Sequence, residues 1–180
     1  MAGNVYIANL TIISTDANYP SGKETNRHMA YCIHADFGAN AGDVMEINNC
    51  ILINNHFACI GAGLKNDYTV KVVGCDLKST MSENVTTVYR GTIITHNGSS
   101  GSTEEPHQHL YVKDCVITNT NGAYGVQSAS AYDGQLADFT LINNVVDVGE
   151  GEDGFFKSDN YSLTKKCFGN NIDSMNYHQS

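Results

Sequence analysis

Apolar and polar residues alternate along five segments of the chain, and Asn, Gly or Asp interrupts each alternation once. In residues 5–12, Asn9 interrupts an alternation that begins at Val5 and ends at Ile12. Alternation buries one face of a β-strand, and Asn, Asp and Gly accept the left-handed backbone of a sharp corner. Each segment therefore predicts a strand, a corner and a second strand. The other copies span residues 45–52, 70–77, 110–117 and 139–148, the last with one extra residue at its corner.

A second, weaker apolar motif follows each of these segments and predicts one further short strand per unit. Its copies begin near residues 30, 57, 90, 123 and 154. Successive first motifs start 40, 25, 40 and about 29 residues apart, and a bare period of about 25 residues is typical of one turn of a three-strand solenoid. The pattern thus predicts an all-β solenoid of about five coils that forms a single domain over residues 1–180.

Three polar segments, near residues 14–29, 79–89 and 96–108, lengthen the repeat. They predict long surface loops, which is where solenoids usually carry their function. Neither end of the repeat shows a polar capping helix, and uncapped strand edges pair readily with neighbours. We therefore expect a short or uncapped solenoid that is a fragment of a longer chain, associates with other subunits, or both.

The composition agrees with strands and tight corners. The chain has 20 Asn, 17 Gly and 26 Ile plus Val against 8 Leu, and β-branched side chains crowd a helix but suit a strand. The formal net charge is -9, and the 10 basic residues are scattered. Nucleic acid and anionic membranes attract basic faces, so neither is an expected partner. No apolar run approaches the roughly 18 residues of a membrane-spanning helix.

Three cysteines, Cys50, Cys75 and Cys115, share the inward position directly after the corner, which Leu10 occupies in the first copy. Like residues stack well in parallel strands, so these cysteines predict a ladder of small buried thiols. One disulfide among them is the alternative.

The other cysteines give a weaker signal. Cys32 and Cys59 are predicted to stack in the second motif, and Cys167 is predicted to lie outside the repeat. No Cys-x-x-Cys spacing supports a metal site, so no metal and no cofactor is expected. Reduced thiols favour assembly in a cytoplasm.

Polar groups at the end of the second motif are the first candidates for a ligand or catalytic site. His34 and Asp36 end the second motif of the first unit, Gln127 that of the fourth and Asp159 that of the last. Residues at one place in a stack share a face, so Asp36, Gln127 and Asp159 are predicted to lie on one surface stripe. Asp36 and Asp159 would be about 15 to 20 Å apart, whereas a hydrolytic pair needs about 5 to 10 Å.

A better catalytic partner for Asp36 would come from a loop, such as Glu104, Glu105 or Asp133, or from a neighbouring subunit. The alternative for Asp36 is a purely structural turn, in which it caps backbone amides or pairs with His34. Tyr124 and Tyr132 are predicted to offer flat faces to sugar rings, with core packing as the alternative. With His34, Gln127 and Asp159, these tyrosines complete the predicted ligand-binding set.

The strand–Asn–strand units, the cysteine and Asn stacks and the phrase Tyr-Cys-Ile-His-Ala-Asp at residues 31–36 resemble the right-handed parallel β-helix of the pectate-lyase-like superfamily. More narrowly, residues 4 to about 160 look like the β-helical parts of bacteriophage tailspikes, appendages and tail fibres. The resemblance implies a right-handed, single-stranded parallel β-helix that forms a homotrimer in the virion tail after assembly in the host cytoplasm. It also implies that the protein binds a bacterial surface polysaccharide or teichoic acid.

Two further hypotheses remain open. The first is a glycan lyase or hydrolase of the same fold, although the chain lacks the clustered Asp pairs of polygalacturonases and the Asp-rich calcium site with catalytic Arg of pectate lyases. Arg27 and Arg90 are its only arginines. The second is a structural shaft segment that binds no ligand.

Overall fold

The computed structural model describes residues 3–14, 31–36, 42–63, 68–80, 90–96, 108–120, 124–129, 137–148, 156–158, 163–169 and 171–172. All of the regular secondary structure in these residues is β-strand. In chain order the strands are β1 (Val5–Ala8), β2 (Thr11–Ser14), β3 (Ile33–Asp36), β4 (Val44–Asn48), β5 (Ile51–Asn54), β6 (Ile60–Gly63), β7 (Tyr68–Val73), β8 (Asp76–Thr80), β9 (Gly91–His96), β10 (Gln108–Lys113), β11 (Val116–Thr120), β12 (Tyr124–Ala129), β13 (Ala137–Ile142), β14 (Val145–Asp147), β15 (Phe156–Ser158), β16 (Leu163–Phe168) and β17 (Asn171–Ile172).

Every third strand belongs to the same sheet. The first sheet has the order β1-β4-β7-β10-β13-β16, the second β2-β5-β8-β11-β14-β17 and the third β3-β6-β9-β12-β15. All of the pairings are parallel. This arrangement confirms the predicted all-β parallel architecture and is consistent with a β-helix or solenoid. The predicted loops near 14–29, 79–89 and 96–108 lie almost wholly outside the described residues.

The corners between the first and second sheets are the predicted left-handed residues. Two residues separate the two strands in each of the first five units, and the first of the two has a positive φ, at the place where the sequence pattern is interrupted. These residues are Asn9 (φ 57), Asn49 (φ 51), Gly74 (φ 63), Asp114 (φ 53) and Asn143 (φ 52).

The fifth copy of the motif fits the repeat without an insertion, which corrects the predicted extra residue at its corner. Leu110 pairs with Phe139 and Val116 pairs with Val145, so the two copies have the same length between these positions. Asn144 consequently stands where the second, third and fourth units have a cysteine. A polar residue at this inward position made the pattern look longer than it is.

The prediction that Cys167 lies outside the repeat is wrong. Strand β16 continues the first sheet and places Cys167 opposite Leu141. Gly169, with a φ of 63, then takes the corner position. The pattern was hidden because Lys165 stands opposite Phe139, at a position where the other units are apolar.

The core lies between the three sheets and is built from the alternate residues of each strand. In the second unit Ile47, Leu52 and Ile60 are fully buried, one from each sheet. Their equivalents in the third unit, which include Val72 and Leu77, are buried to the same extent. The interior is therefore a set of stacked like residues, as the alternation predicts.

The predicted thiol ladder is present at the inward position after the corner. Cys50, Cys75 and Cys115 are free thiols, and each is at most 2% exposed. The amide N–H of Cys50 donates to Cys75 Sγ at 3.4 Å, and that of Cys75 donates to Cys115 Sγ at 3.4 Å. The ladder thus satisfies corner amides that lie outside the regular sheet hydrogen bonds. Leu10, at the same place in the first unit, is 50% exposed.

Asn144 completes this row. Its Oδ1 accepts the amide N–H of Cys115 at 3.0 Å, and its Nδ2 donates to the carbonyl of Val112 at 3.1 Å. A buried amide side chain is stable here because both of its polar ends are paired. The same position therefore accepts either a thiol or an amide.

A substitution at Gly74 tests the corner geometry. We expect Gly74→Ala to lower the free energy of unfolding by about 1–2 kcal/mol, because a side chain disfavours the left-handed backbone. The added Cβ would also lie 2.6 Å from Asn49 Oδ1. Chemical denaturation measures the loss. Asp114→Gly is the matched control and should change stability by less than about 1 kcal/mol, since glycine suits this backbone. Equal losses in both variants would contradict the assigned corner role.

Candidate functional site

The outer face of the third sheet carries His34, the first of the predicted ligand-binding residues. Alternation along β3 places Ile33 in the core and His34 on the exposed side. The sheet register then defines a row across five strands, called here the His34 row. Its members are His34, Gly61, Ile94, Gln127 and Lys157.

An aromatic cluster covers the start of the His34 row. The ring of Tyr31 lies 4.6 Å from that of His34, with 30° between the planes, and 5.1 Å from that of Phe57 in an edge-on contact. Gly61 lies beneath Tyr31, and a Cβ at this position would overlap the Tyr31 ring. Glycine therefore allows Tyr31 to lie flat against the sheet beside an exposed imidazole.

The predicted surface stripe of Asp36, Gln127 and Asp159 needs correction. Gln127 aligns with His34 and not with Asp36, which pairs with Gly63. Gln127 is also fully buried, and its Oε1 accepts the backbone N–H of Arg90 at 2.7 Å. Its side chain thus has a structural partner and no exposed surface.

Tyr124 is likewise mostly buried, with 7% of its surface exposed, so its ring does not offer a face to a sugar. The carbonyls of Tyr124 and Arg90 both accept from Asn119 Nδ2, at 2.8 and 2.9 Å. Asn54 has the equivalent place in the second unit, where its Oδ1 accepts hydrogen bonds from the backbone N–H groups of His56 and Phe57. These asparagines fix the connection between the second and third sheets.

The remaining predicted site residues cannot be placed against one another. Asp36 ends β3, and Glu104, Tyr132, Asp133 and Asp159 lie outside the described residues. The pairing of Asp36 with a loop carboxylate therefore stays a prediction. Within the described ranges, no group of three or more His, Cys, Asp or Glu side chains is arranged to hold a metal ion.

The outer face of the first sheet carries a polar and aromatic row that sequence reasoning missed. It is called here the Tyr6 row, and its members are Tyr6, Glu46, Lys71 and Tyr111, from four successive strands of the sheet. Tyr6 is 68% exposed, and the other three are partly exposed. The signal was available, because these residues occupy the same outward place in the aligned first motifs.

The Tyr6 row has a fixed geometry because each member stands on a rigid strand. Three strand steps separate Tyr6 from Tyr111, which is about 14 Å along the stack. Asn48 lies beside the row and donates from Nδ2 to Glu46 Oε1 at 2.6 Å and to the Tyr6 hydroxyl at 3.3 Å. Two phenol rings with a carboxylate and an ammonium between them thus line one face.

The outer face of the second sheet is chemically different. Its exposed positions include four β-branched apolar residues, which are exposed by 42% to 56%. They are Ile13, Ile51, Val116 and Val145. Asp76 stands between Ile51 and Val116 in the register, and Lys78 and Asp147 are exposed on the same face. This outer face is therefore mixed, with apolar and charged side chains side by side.

Comparison with known proteins yields no relative. A scan against family models, a search of curated proteins and a search of solved structures each found no match. In the part of the chain that the structure describes, no helix is long and apolar enough to cross a membrane.

A double-mutant cycle tests the packing of Tyr31 on Gly61. We expect Gly61→Ala to destabilise the protein and to shift the His34 ring protons in the NMR spectrum, because the Tyr31 ring must move away from its place. In a Tyr31→Ala background the same change should cost less, with a coupling free energy of about 0.5–3 kcal/mol. Chemical denaturation of the four proteins gives this value. Additive losses with unchanged His34 signals would show that the cluster is not formed.

Proposed function

We propose that this chain is the β-helical, host-binding part of a bacteriophage tailspike or tail fibre, and that it binds a bacterial surface polysaccharide or teichoic acid. The Tyr6 row is the observation that carries the proposal. Tyrosine rings present an apolar face and a polar edge, which suits the alternating CH and OH surfaces of a sugar. Glu46, Asn48 and Lys71 supply hydrogen-bond donors and acceptors between the rings.

A rigid stack of parallel strands supports this use. The strands hold the spacing of the row, and no loop has to become ordered. The protein therefore loses little backbone conformational entropy when an extended glycan binds along the row. Recognition of this kind needs no cofactor. The net charge of -9 favours a neutral or cationic glycan segment, or one whose anionic groups meet Lys71.

We also propose that the stack is a right-handed, single-stranded β-helix of about five coils, because a strand–crossover–parallel strand connection is right-handed in about 98% of cases. The free thiols favour assembly in the host cytoplasm before the protein takes its place in the virion tail. A homotrimer packed through the outer face of the second sheet would bury its exposed apolar residues together with Asp76, Lys78 and Asp147, and would leave the Tyr6 row accessible.

Binding measurements on tyrosine variants test the glycan proposal. With a panel of purified bacterial capsules, wall polysaccharides and teichoic acids, we expect Tyr6→Ala and Tyr111→Ala each to weaken binding about three- to tenfold. Asn55→Ala, in the exposed turn after β5 and outside both the Tyr6 row and the second sheet, is the control and should bind as the unchanged protein does. Isothermal titration calorimetry or a glycan array provides the readout.

Three other outcomes would favour a different function or a different site. Absence of binding to every member of the panel would favour a structural shaft and overturn the proposal. New reducing ends or unsaturated uronates after long incubation would instead indicate the lyase or hydrolase. Binding that the tyrosine variants leave intact would move the site to the surface around His34 or to a loop.

Light scattering tests the proposed trimer. We expect the protein to have three times the 19.5 kDa mass of one chain. Val116→Lys combined with Val145→Lys should reduce this mass toward that of a monomer, because charged side chains oppose burial of the second sheet's outer face. Tyr6→Ala should leave it unchanged. A monomeric unchanged protein at micromolar concentration would refute this part of the proposal.

A further inference from the structure

Cys32 and Cys59 occupy equivalent places in successive units. The Cys32 thiol approaches the carbonyls of Ile53 at 3.4 Å and Ile12 at 3.9 Å. The Cys59 thiol approaches the carbonyls of Leu52 at 3.3 Å and Lys78 at 3.2 Å. The sheet register pairs Ile12 with Leu52 and Ile53 with Lys78. The two thiols therefore point the same way and lie one strand step apart.

This separation is compatible with a covalent bond between the two sulfurs. The next residues, Ile33 and Ile60, pair directly, and the Ile33 N–H donates to the Cys59 carbonyl at 3.1 Å. One step between parallel strands is about 4.8 Å. Disulfides join cysteines whose Cα atoms are about 4.4–6.8 Å apart, so the backbone spacing fits. Their Cβ atoms are about 3.5–4.5 Å apart, so the two side chains must rotate and draw together for the bond to form.

Cys32 is both more accessible and more acidic than Cys59, as expected of the thiol that reacts first in a stepwise oxidation. Cys32 is half-buried, whereas Cys59 has no exposed surface. A hydrogen bond with the Cys59 thiol lowers the pKa of Cys32. Burial raises the pKa of Cys59 well above its usual range. An oxidant in solution thus meets Cys32 first, and Cys32 has the greater thiolate fraction.

The pair is also isolated from the other thiols. Thr92 follows Cys59 in this stack, and its hydroxyl bonds with Ser79 Oγ at 2.8 Å and with the Thr118 carbonyl at 3.3 Å. Cys50, Cys75 and Cys115, in the other ladder, are at most 2% exposed. Among the described cysteines, Cys32 is therefore the accessible one and Cys59 is its neighbour in the stack.

We propose that Cys32 and Cys59 form a disulfide when the folded protein meets a disulfide oxidant such as oxidised glutathione. The Cys32 thiolate attacks one glutathione sulfur, which forms a mixed disulfide and releases one glutathione thiolate. Cys59 then attacks Cys32 Sγ and displaces the second glutathione as a thiolate, which takes up the Cys59 proton. The protein loses two electrons and two protons, and oxidised glutathione becomes two molecules of glutathione.

The product ties β3 to β6, and so joins the first unit to the second covalently. The first unit is the more exposed of the two, since Leu10 is 50% exposed and its equivalent Cys50 is buried. A thiol pair in a reducing cytoplasm would thus become a crosslink after release into an oxidising medium. The inference stands independently of what the protein binds.

Mass spectrometry of the oxidised native protein tests the inference. The folded protein is incubated with oxidised glutathione, quenched in acid, alkylated under denaturing conditions and digested. We expect a crosslinked peptide that joins Cys32 to Cys59 with the loss of two hydrogens, while Cys50, Cys75 and Cys115 are recovered alkylated. In hydrogen exchange, the β3 amides should exchange more slowly after oxidation than before.

Variants separate the two steps. Cys59→Ala should stop at a stable glutathione adduct on Cys32, and Cys32→Ser should yield neither the adduct nor the crosslink. Cys50→Ser is the matched control and should form the Cys32–Cys59 crosslink as the unchanged protein does. A lasting glutathione adduct on Cys32 in the unchanged protein, a crosslink between other described cysteines, or no reaction at all would overturn the proposal.

Discussion

The structure depends on backbone hydrogen bonding between units that are held in register by one left-handed residue per corner. Asn49, Gly74 and Asp114 each have a positive φ, of 51°, 63° and 53°, at the same place in the unit. Because their amides bond to the next unit, at 2.9 to 3.0 Å, every strand on either side starts at an equivalent residue. Burial of the alternate side chains then follows from the register, since a slip of one residue would turn each apolar side chain outward.

This constraint explains how far the sequence alone could predict the fold. The parallel sheets, the corners and the thiol ladder were all predictable, because each repeats at a fixed place in the motif. Two misreadings arose where a unit uses a polar residue at a place that is apolar elsewhere. Asn144 was taken as an insertion, and Lys165 concealed a further strand. A polar residue is tolerated at Asn144 because its side-chain amide bonds to the backbone of both Cys115 and Val112.

The candidate site was less predictable, because a motif fixes which face a residue lies on but not what covers that face. Gln127 and Tyr124 follow the pattern of the third sheet, yet both are buried. Gln127 accepts a hydrogen bond from the backbone of Arg90, which is distant in sequence, and the motif gives no sign of this contact. The Tyr6 row, in contrast, follows from alternation together with the alignment of the first motifs. It was overlooked because Tyr6 and Tyr111 are far apart in the chain, and only the register brings them into line.

The thiol ladder links each unit to both of its neighbours. The bonds from Cys50 to Cys75, from Cys75 to Cys115 and from Cys115 to Asn144 all have the donor amide in the earlier unit. The thiols of Cys50, Cys75 and Cys115 donate in the opposite direction, to carbonyls of the preceding unit at 3.5 to 3.9 Å. The dipoles of the two sets of bonds therefore oppose one another, as they do between the strands of a sheet. Each ladder residue is thus a two-way link, and its loss would remove a contact with the unit before it as well as one with the unit after it.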